Sequence, residues 1–284
     1  MATIKKNSSK LPVYIWIFII VEALIYVTFM YIDIVINGGD ASNNGLVTAL
    51  QKSQIFSNAY LKYYAIIICL AVTVIIYYKN KSKVNALIAG AMFFTAFADY
   101  FLLLNPDRMV PGLVSFCIVH GIYLYVILGG DSKKTAIICF IRIGISVIVT
   151  VILIASGLIR FSNESSLSSV LFLVIVYGLS FVWNVVLMFS NLVGPDPSTA
   201  KSAKITDTAY CTCLFAHKKM FLTGLVLFLL CDLNVMIYNL GSFINLSSNF
   251  YHMLQTSSVV LMWAFYLPSQ VLIVLSALLP SDQN

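Results

Sequence analysis

Charge is in short supply in this 284-residue chain: 17 Lys and Arg and 11 Asp and Glu, 10% of the sequence. A soluble domain carries about 25% charge with about 45–50% apolar residues; here the apolar share is 60%, which excludes an ordinary water-soluble fold. Histidine is scarcer still, at three. With no HExxH and so few imidazoles, a zinc-dependent intramembrane hydrolase, which needs several His or Cys ligands, is excluded. Cys211-x-Cys213 with His217 would offer three ligands, and is read as part of an ordinary cytoplasmic loop rather than a metal clip. The six cysteines (Cys69, Cys117, Cys139, Cys211, Cys213, Cys231) have no framework spacing of the secreted kind. There is no Gly-rich phosphate loop, dinucleotide fingerprint, heptad seam or transporter-like internal repeat. Ser115 precedes His120 by five residues, which turns them about 140° apart on one helix and rules out a serine–histidine dyad between them.

What fills the chain is long apolar runs. A membrane-spanning helix takes about 20 mostly apolar residues, and cutting at the polar breaks predicts helices near 12–36, 61–78, 84–104, 110–128, 136–159, 170–191, 220–240 and 253–279. Six of the seven prolines (Pro12, Pro106, Pro111, Pro195, Pro197, Pro280) fall at or beyond these ends, where a missing N–H does no harm; Pro268 alone lies inside a helix. The reading is an all-α, multi-pass integral membrane protein, a bundle of eight transmembrane helices forming a single domain over 1–284. The loops 37–60 and 192–219 are too short to form a core of their own. Neither metal nor cofactor is expected.

The net charge of +6 does not point to nucleic acid, because the basic residues sit between apolar runs rather than along a stripe. They read as orientation signals. With a cytoplasmic N-terminus, Lys5, Lys6, Lys10, Lys79, Lys81, Lys83, Lys133, Lys134, Lys201, Lys204, Lys218 and Lys219 are inside. Only Lys52, Arg108 and Arg160 are in outer loops, with Lys62 at an outer helix end and Arg142 in the fifth helix. Such a positive-inside bias predicts both termini in the cytoplasm. The first apolar run is too long for a signal peptide, contains Glu22 and lacks a small-residue cleavage site, so it is read as an uncleaved span. The membrane is a bacterial plasma membrane or a eukaryotic endomembrane; in the latter, the sequons at Asn163 and Asn245 would be outer-loop acceptors.

A carboxylate at a helix centre costs about 2.5–3.5 kcal/mol on insertion scales, so each one needs a reason. Asp99, Asp232 and Glu22 are the clear cases. Asp33 is close enough to an outer end to reach water, and Arg142 close enough to an inner end to snorkel. Helical spacing places Thr95 on the face of Asp99 and Asn239 on that of Asp232. It also aligns Phe116, His120 and Tyr123, with Ser115 beside them, in the fourth span. Trp263, Tyr266 and Gln270 align in the eighth, and Glu22, Tyr26 and Asp33 in the first. At 1.5 Å per residue, Asp99, Asp232 and His120 lie roughly 8, 12 and 15 Å below the outer helix ends. Two carboxylates and an imidazole then share a layer. A single intramembrane Asp often only packs helices; two at similar depth on separate helices favour a site.

The stretch FTAFADYFLLLNPDRMVPGLVSFCIVHGIYLY from Phe94 to Tyr125 resembles the YhhN family of lysoplasmalogenases. GLVLFLLCDLNVMIYN from Gly224 to Asn239 resembles that family's second Asp-bearing helix, and the last span, with Tyr266 and Gln270, its closing helix. The resemblance implies eight spans with both termini inside, and hydrolysis of the vinyl-ether bond of a lysoplasmalogen, a membrane lysophospholipid, to a fatty aldehyde and a glycerophospho-base. Asp99 and Asp232 would be the catalytic acid and base, in either order, with the base solvated by Asn239, a tyrosine or His120. His120, Ser115, Tyr123, Asn239, Tyr266, Gln270 and Glu22 would support the substrate. A transporter or lipid-binding protein whose acids hold a proton or cation is the alternative, and oligomeric state is left open.

Overall fold

A computed structural model of the protein describes residues 11–37, 57–156, 165–193, 208–239 and 248–278. The predicted features at Lys5, Lys6, Lys10, Lys52, Arg160, Lys201, Lys204, Pro195, Pro197, Pro280, Asn163 and Asn245 lie outside these residues. Among the described residues every regular element is helical: α1 Val13–Asn37, α2 Asn58–Lys79, α3 Lys83–Asp99, α4 Met109–Ile127, α5 Ser132–Ala155, α6 Ser165–Val193, α7 Thr208–Asn239 and α8 Ser248–Ser276. All eight are long and apolar enough to cross a membrane. The protein is an integral, multi-pass membrane protein. The helices α7 and α8 begin at Thr208 and Ser248, earlier than the hydropathy runs that mark their spans. The segment with Cys211, Cys213 and His217, expected as loop, is therefore helical.

Two helices depart locally from regular geometry, after Asp99 and at Pro268. Directly after Asp99 the helix α3 widens into one π-helical turn, Tyr100–Leu104, followed by a short 3-10 turn, Pro106–Arg108, that leads into α4. Turns of the π type are uncommon and concentrate at functional sites. Pro268 lies inside α8, where it deprives the carbonyl four residues back, that of Ala264, of its helical donor. Tyr26 of α1 supplies a replacement, its hydroxyl donating to the Ala264 oxygen at 3.3 Å.

The packing is inverted relative to a soluble bundle. In α5 the large apolar side chains, such as Ile137, Phe140, Ile148 and Val151, are exposed, while Arg142, Ser146 and Thr150 are buried at four-residue spacing. A helix bathed in lipid tails gains nothing by hiding leucine and must hide what hydrogen-bonds. The helix α5 leans on α6 and lightly on α4, and is the least enclosed of the eight. The closest pair is α7 with α8, and α1, α2 and α8 pack on one another.

That closest contact is set by one glycine. A Cβ built on Gly224 of α7 would stand 2.9 Å from Ile273 Cγ1 and 3.0 Å from the backbone oxygen of Ser269 in α8. The backbones can approach this closely only with no side chain at that position. Gly224→Val should push α7 and α8 apart and cost about 1–3 kcal/mol by overpacking. The check is the thermal midpoint of the detergent-purified protein; a midpoint equal to wild type would show that the contact is not constrained as described.

Candidate active site

Each of the two aspartates meets a tyrosine from a different helix. Asp99, 4% exposed at the junction of α3 and its π turn, accepts a hydrogen bond from Tyr266 of α8, with hydroxyl to Oδ2 at 2.6 Å. Asp232 of α7, half-buried, accepts one from Tyr177 of α6, hydroxyl to Oδ2 at 2.5 Å. A carboxyl oxygen can accept such a bond whether the group is ionised or protonated. The two hydroxyls are near enough to interact electrostatically, and Cys231 is near both carboxylates. An aromatic wall packs against the pairs: Phe228, one turn before Asp232, lies 5.5 Å from the Tyr266 ring, 5.7 Å from Phe116 and 5.8 Å from His120.

His120 is fully buried beside this wall, 4.9 Å from the Tyr177 ring and 4.4 Å from Phe181. Among the described residues neither of its ring nitrogens has a hydrogen-bonding partner. Its backbone is held instead: Asn184 of α6 donates to the His120 carbonyl at 2.9 Å and accepts from Arg142 Nη2 at 2.9 Å. The guanidinium also lies over the Trp183 ring at 5.8 Å. Arg142 therefore does not snorkel out; at 3% exposure it ties α5 to α6 and, through Asn184, to α4.

A second group of polar atoms includes the Tyr123 hydroxyl, beside Thr95, one turn before Asp99. Glu22 of α1, 3% exposed, accepts from the Cys69 thiol of α2 at 3.6 Å. Its Oε2, the Tyr123 hydroxyl of α4 and Gln270 Oε1 of α8 are buried without hydrogen-bonding partners among the described residues. Cys69 is close enough to Glu22, Asp99 and Tyr123 to interact electrostatically with all three. Buried polar atoms of this kind are ordinarily met by internal water. Gln270 itself donates to Ser269 Oγ at 3.3 Å.

Not every expected side chain joins this centre. Asn239 is exposed and donates to the Val235 carbonyl of its own helix at 2.8 Å, because the end of α7 extends beyond its packed portion. The Ser115 hydroxyl donates to the Pro111 carbonyl at 2.8 Å, back-bonded to its own helix. Asp33 does not reach water: it is 4% exposed and paired with Lys62. Tyr177 is not among the residues expected from the sequence, although Tyr177, Phe181 and Asn184 follow at plus four and plus seven on one face of an apolar helix. Among the described residues no three His, Cys, Asp or Glu side chains converge as a metal site would require.

These features define a class: an integral membrane protein with a polar, carboxylate-bearing centre enclosed by its helices. The chain belongs to the YhhN family, whose model matches residues 58–277, from the start of α2 to the end of α8. No curated protein and no solved structure matched it.

The Arg142–Asn184 bond permits a non-additive test. Asn184→Leu strands a buried guanidinium, which costs more than removing both partners together. By thermal unfolding, Asn184→Leu alone should be less stable than Arg142→Met/Asn184→Leu, and the reverse order would sink the assignment.

Proposed function

We propose that the protein is a hydrolase that cleaves the vinyl-ether bond of a lysoplasmalogen, yielding a fatty aldehyde and a glycerophospho-base. The single observation that carries this reading is the pair of intramembrane aspartates, each gripped by a tyrosine, with Phe228 packed on the Tyr266 ring. Membership of the YhhN family is consistent with a hydrolase. The substrate's long chain lies in the bilayer, so an enclosed membrane site suits it.

Vinyl-ether hydrolysis needs an acid first and water second. A proton goes to the alkene carbon remote from oxygen, and the alkene electron pair forms that C–H bond, leaving an oxocarbenium ion. Water adds to the cationic carbon and loses a proton, and the hemiacetal then breaks its C–O bond to give aldehyde and the glycerol hydroxyl. The demands resemble those of glycoside hydrolysis, where one carboxyl donates the proton and a second carboxylate activates water or stabilises the cation. We assign Asp99, the more enclosed carboxyl, to the proton donor and Asp232, half-buried, to the water. A tyrosine that holds Oδ2 of each leaves the other oxygen to exchange the proton and fixes the carboxyl plane. The aromatic faces of Phe228, Phe116 and Tyr177 offer electron-rich surface to a passing cation.

Purified protein given an ethanolamine lysoplasmalogen should release aldehyde. Asp99→Asn and Asp232→Asn should each lower the rate by at least about 100-fold, the range for loss of a general acid or base. Aldehyde release that survives both substitutions would falsify the mechanism. Tyr266→Phe and Tyr177→Phe keep the rings and remove only the grip on the carboxyls, so each should lower kcat by about tenfold, the equivalent of about 1.4 kcal/mol, with little change in KM. An unchanged kcat in both would remove the tyrosines from the machinery.

A further inference from the structure

Among the described residues, Lys62 and Arg142 are the buried cations, and they sit at different depths. Arg142 is ten residues into α5, about 15 Å along the axis, whereas Lys62 is four residues into α2, about 6 Å from its start. Asp33, four residues from the end of α1, matches Lys62 in depth. Their side chains form an ion pair, with Nζ 2.8 Å from Oδ2 and 3.1 Å from Oδ1. Asn58 Nδ2 donates to the same Oδ1 at 2.5 Å. The ammonium also lies 4.7 Å from the Trp263 ring centroid and 5.8 Å from that of Phe29.

An enclosed ion pair is a poor way to hold two helices together. The desolvation of both charges offsets their attraction, and apolar replacements of similar volume are often neutral or stabilising. Charges kept inside membrane helices more often mark where a ligand passes or binds. This pair also has an unmet acceptor for one: Asn58 Oδ1, beside it, is buried and has no hydrogen-bonding partner among the described residues. Asp33 takes two of the directions from Nζ, and an ammonium has three N–H donors.

The pair is also placed correctly relative to the aspartates. The Trp263 ring that Lys62 covers is 5.2 Å from the Tyr266 ring, whose hydroxyl holds Asp99. Tyr63, the residue after Lys62, interacts electrostatically with Asp99. Trp263 precedes Tyr266 by three residues, about 4.5 Å along α8 toward the end of the bundle where α2 begins. In a lysophospholipid, three glycerol carbons separate the ether oxygen from the phosphate ester oxygen, a span of about one helical turn.

We infer that Lys62 and Asp33, walled by Trp263 and Phe29, form a head-group subsite for a zwitterionic phospho-base, with Lys62 on the phosphate and Asp33 and Asn58 Oδ1 on the ammonium. The inference rests on the lysophospholipid reading above and extends it to the polar end of the substrate. Apart from Tyr266 and Asp99, which lie one turn away, none of these residues takes part in the proposed bond cleavage. The pair is the mirror of its ligand: one fixed positive and one fixed negative charge facing one negative and one positive. The aromatic rings beside it favour an organic ammonium.

The test is a binding measurement that does not depend on catalysis. Its probes are a hexadecyl-ether lysophosphoethanolamine, which has no vinyl bond to cleave, and hexadecylglycerol, which has the same chain and no head group. Dissociation constants are read from tryptophan fluorescence of the detergent-purified full chain. Wild type should bind the phosphoethanolamine at least about tenfold more tightly than hexadecylglycerol, and Lys62→Met should abolish that preference. Because Lys62→Met leaves Asp33 buried without its cation, the neutral pair Asp33→Leu/Lys62→Met serves as the second variant. It should stay folded, bind hexadecylglycerol as wild type does and show no head-group preference, while Lys62→Arg should keep part of it. A wild type without preference, or a preference that survives in both Met variants, overturns the subsite. Displacement of the lipid by inorganic phosphate as readily as by glycerophosphoethanolamine does so too, pointing to a bare anion site. If wild type shows the preference yet releases no aldehyde from a lysoplasmalogen, the hydrolase reading fails while the subsite stands.

Discussion

A carboxyl group in a membrane-spanning helix has no water to turn to, and the arrangement of this protein follows from where its carboxyls find donors. Tyr266 reaches Asp99 from α8, and Tyr177 reaches Asp232 from α6. Each bond closes only if two helices stand at the right height and rotation. The contacts around them serve that placement: Gly224 lets α7 and α8 nearly touch, and Tyr26 repairs the carbonyl that Pro268 leaves open in the same helix that carries Tyr266. In lipid, apolar packing alone discriminates weakly between helix arrangements, so buried polar pairs and small residues carry much of the specificity.

The same logic divides the bundle into parts with different jobs. On one side, Arg142, Asn184 and the His120 carbonyl form a chain of hydrogen bonds that joins α5, α6 and α4. Its bonds tie three helices together at one level, which suits a structural seam, although Arg142 Nε lies buried there without a hydrogen-bonding partner among the described residues. On the other, Glu22, Tyr123 and Gln270 hold polar atoms with no partner among the described residues, which suits a wet interior beside Asp99. The π turn after Asp99 is consistent with a helix adjusted to aim a functional side chain rather than one built only to cross. A reaction that consumes water inside a membrane needs both properties, a firm frame and a hydrated pocket.

The membership of the YhhN family, which covers α2 to α8, fits this division. The aspartates, their tyrosines and the aromatic wall all fall within the matched segment, while Glu22, Tyr26 and Asp33 of α1 lie before it. The first helix is thus a flank laid against α2 and α8, closing the polar centre and supplying half of the Lys62–Asp33 pair.

The eight spans were legible in the sequence because a bilayer imposes length and hydropathy locally, residue by residue. Asp99 and Asp232 stood out for the same reason: insertion cost depends on a residue's depth in its own helix. Partner choice is not local. That Tyr177 rather than Asn239 meets Asp232, that Ser115 turns back on its own helix, and that Arg142 stays inside follow from how helices rotate against one another. Such rotation depends on contacts between residues 50 to more than 150 positions apart, as between Tyr177 and Asp232 or Tyr266 and Asp99. Composition and spacing determined that the chain lives in lipid and that two carboxyls need a reason to be there. Only the tertiary structure decided which donors satisfy them, because hydrogen bonds between helices are made by geometry that no single helix contains.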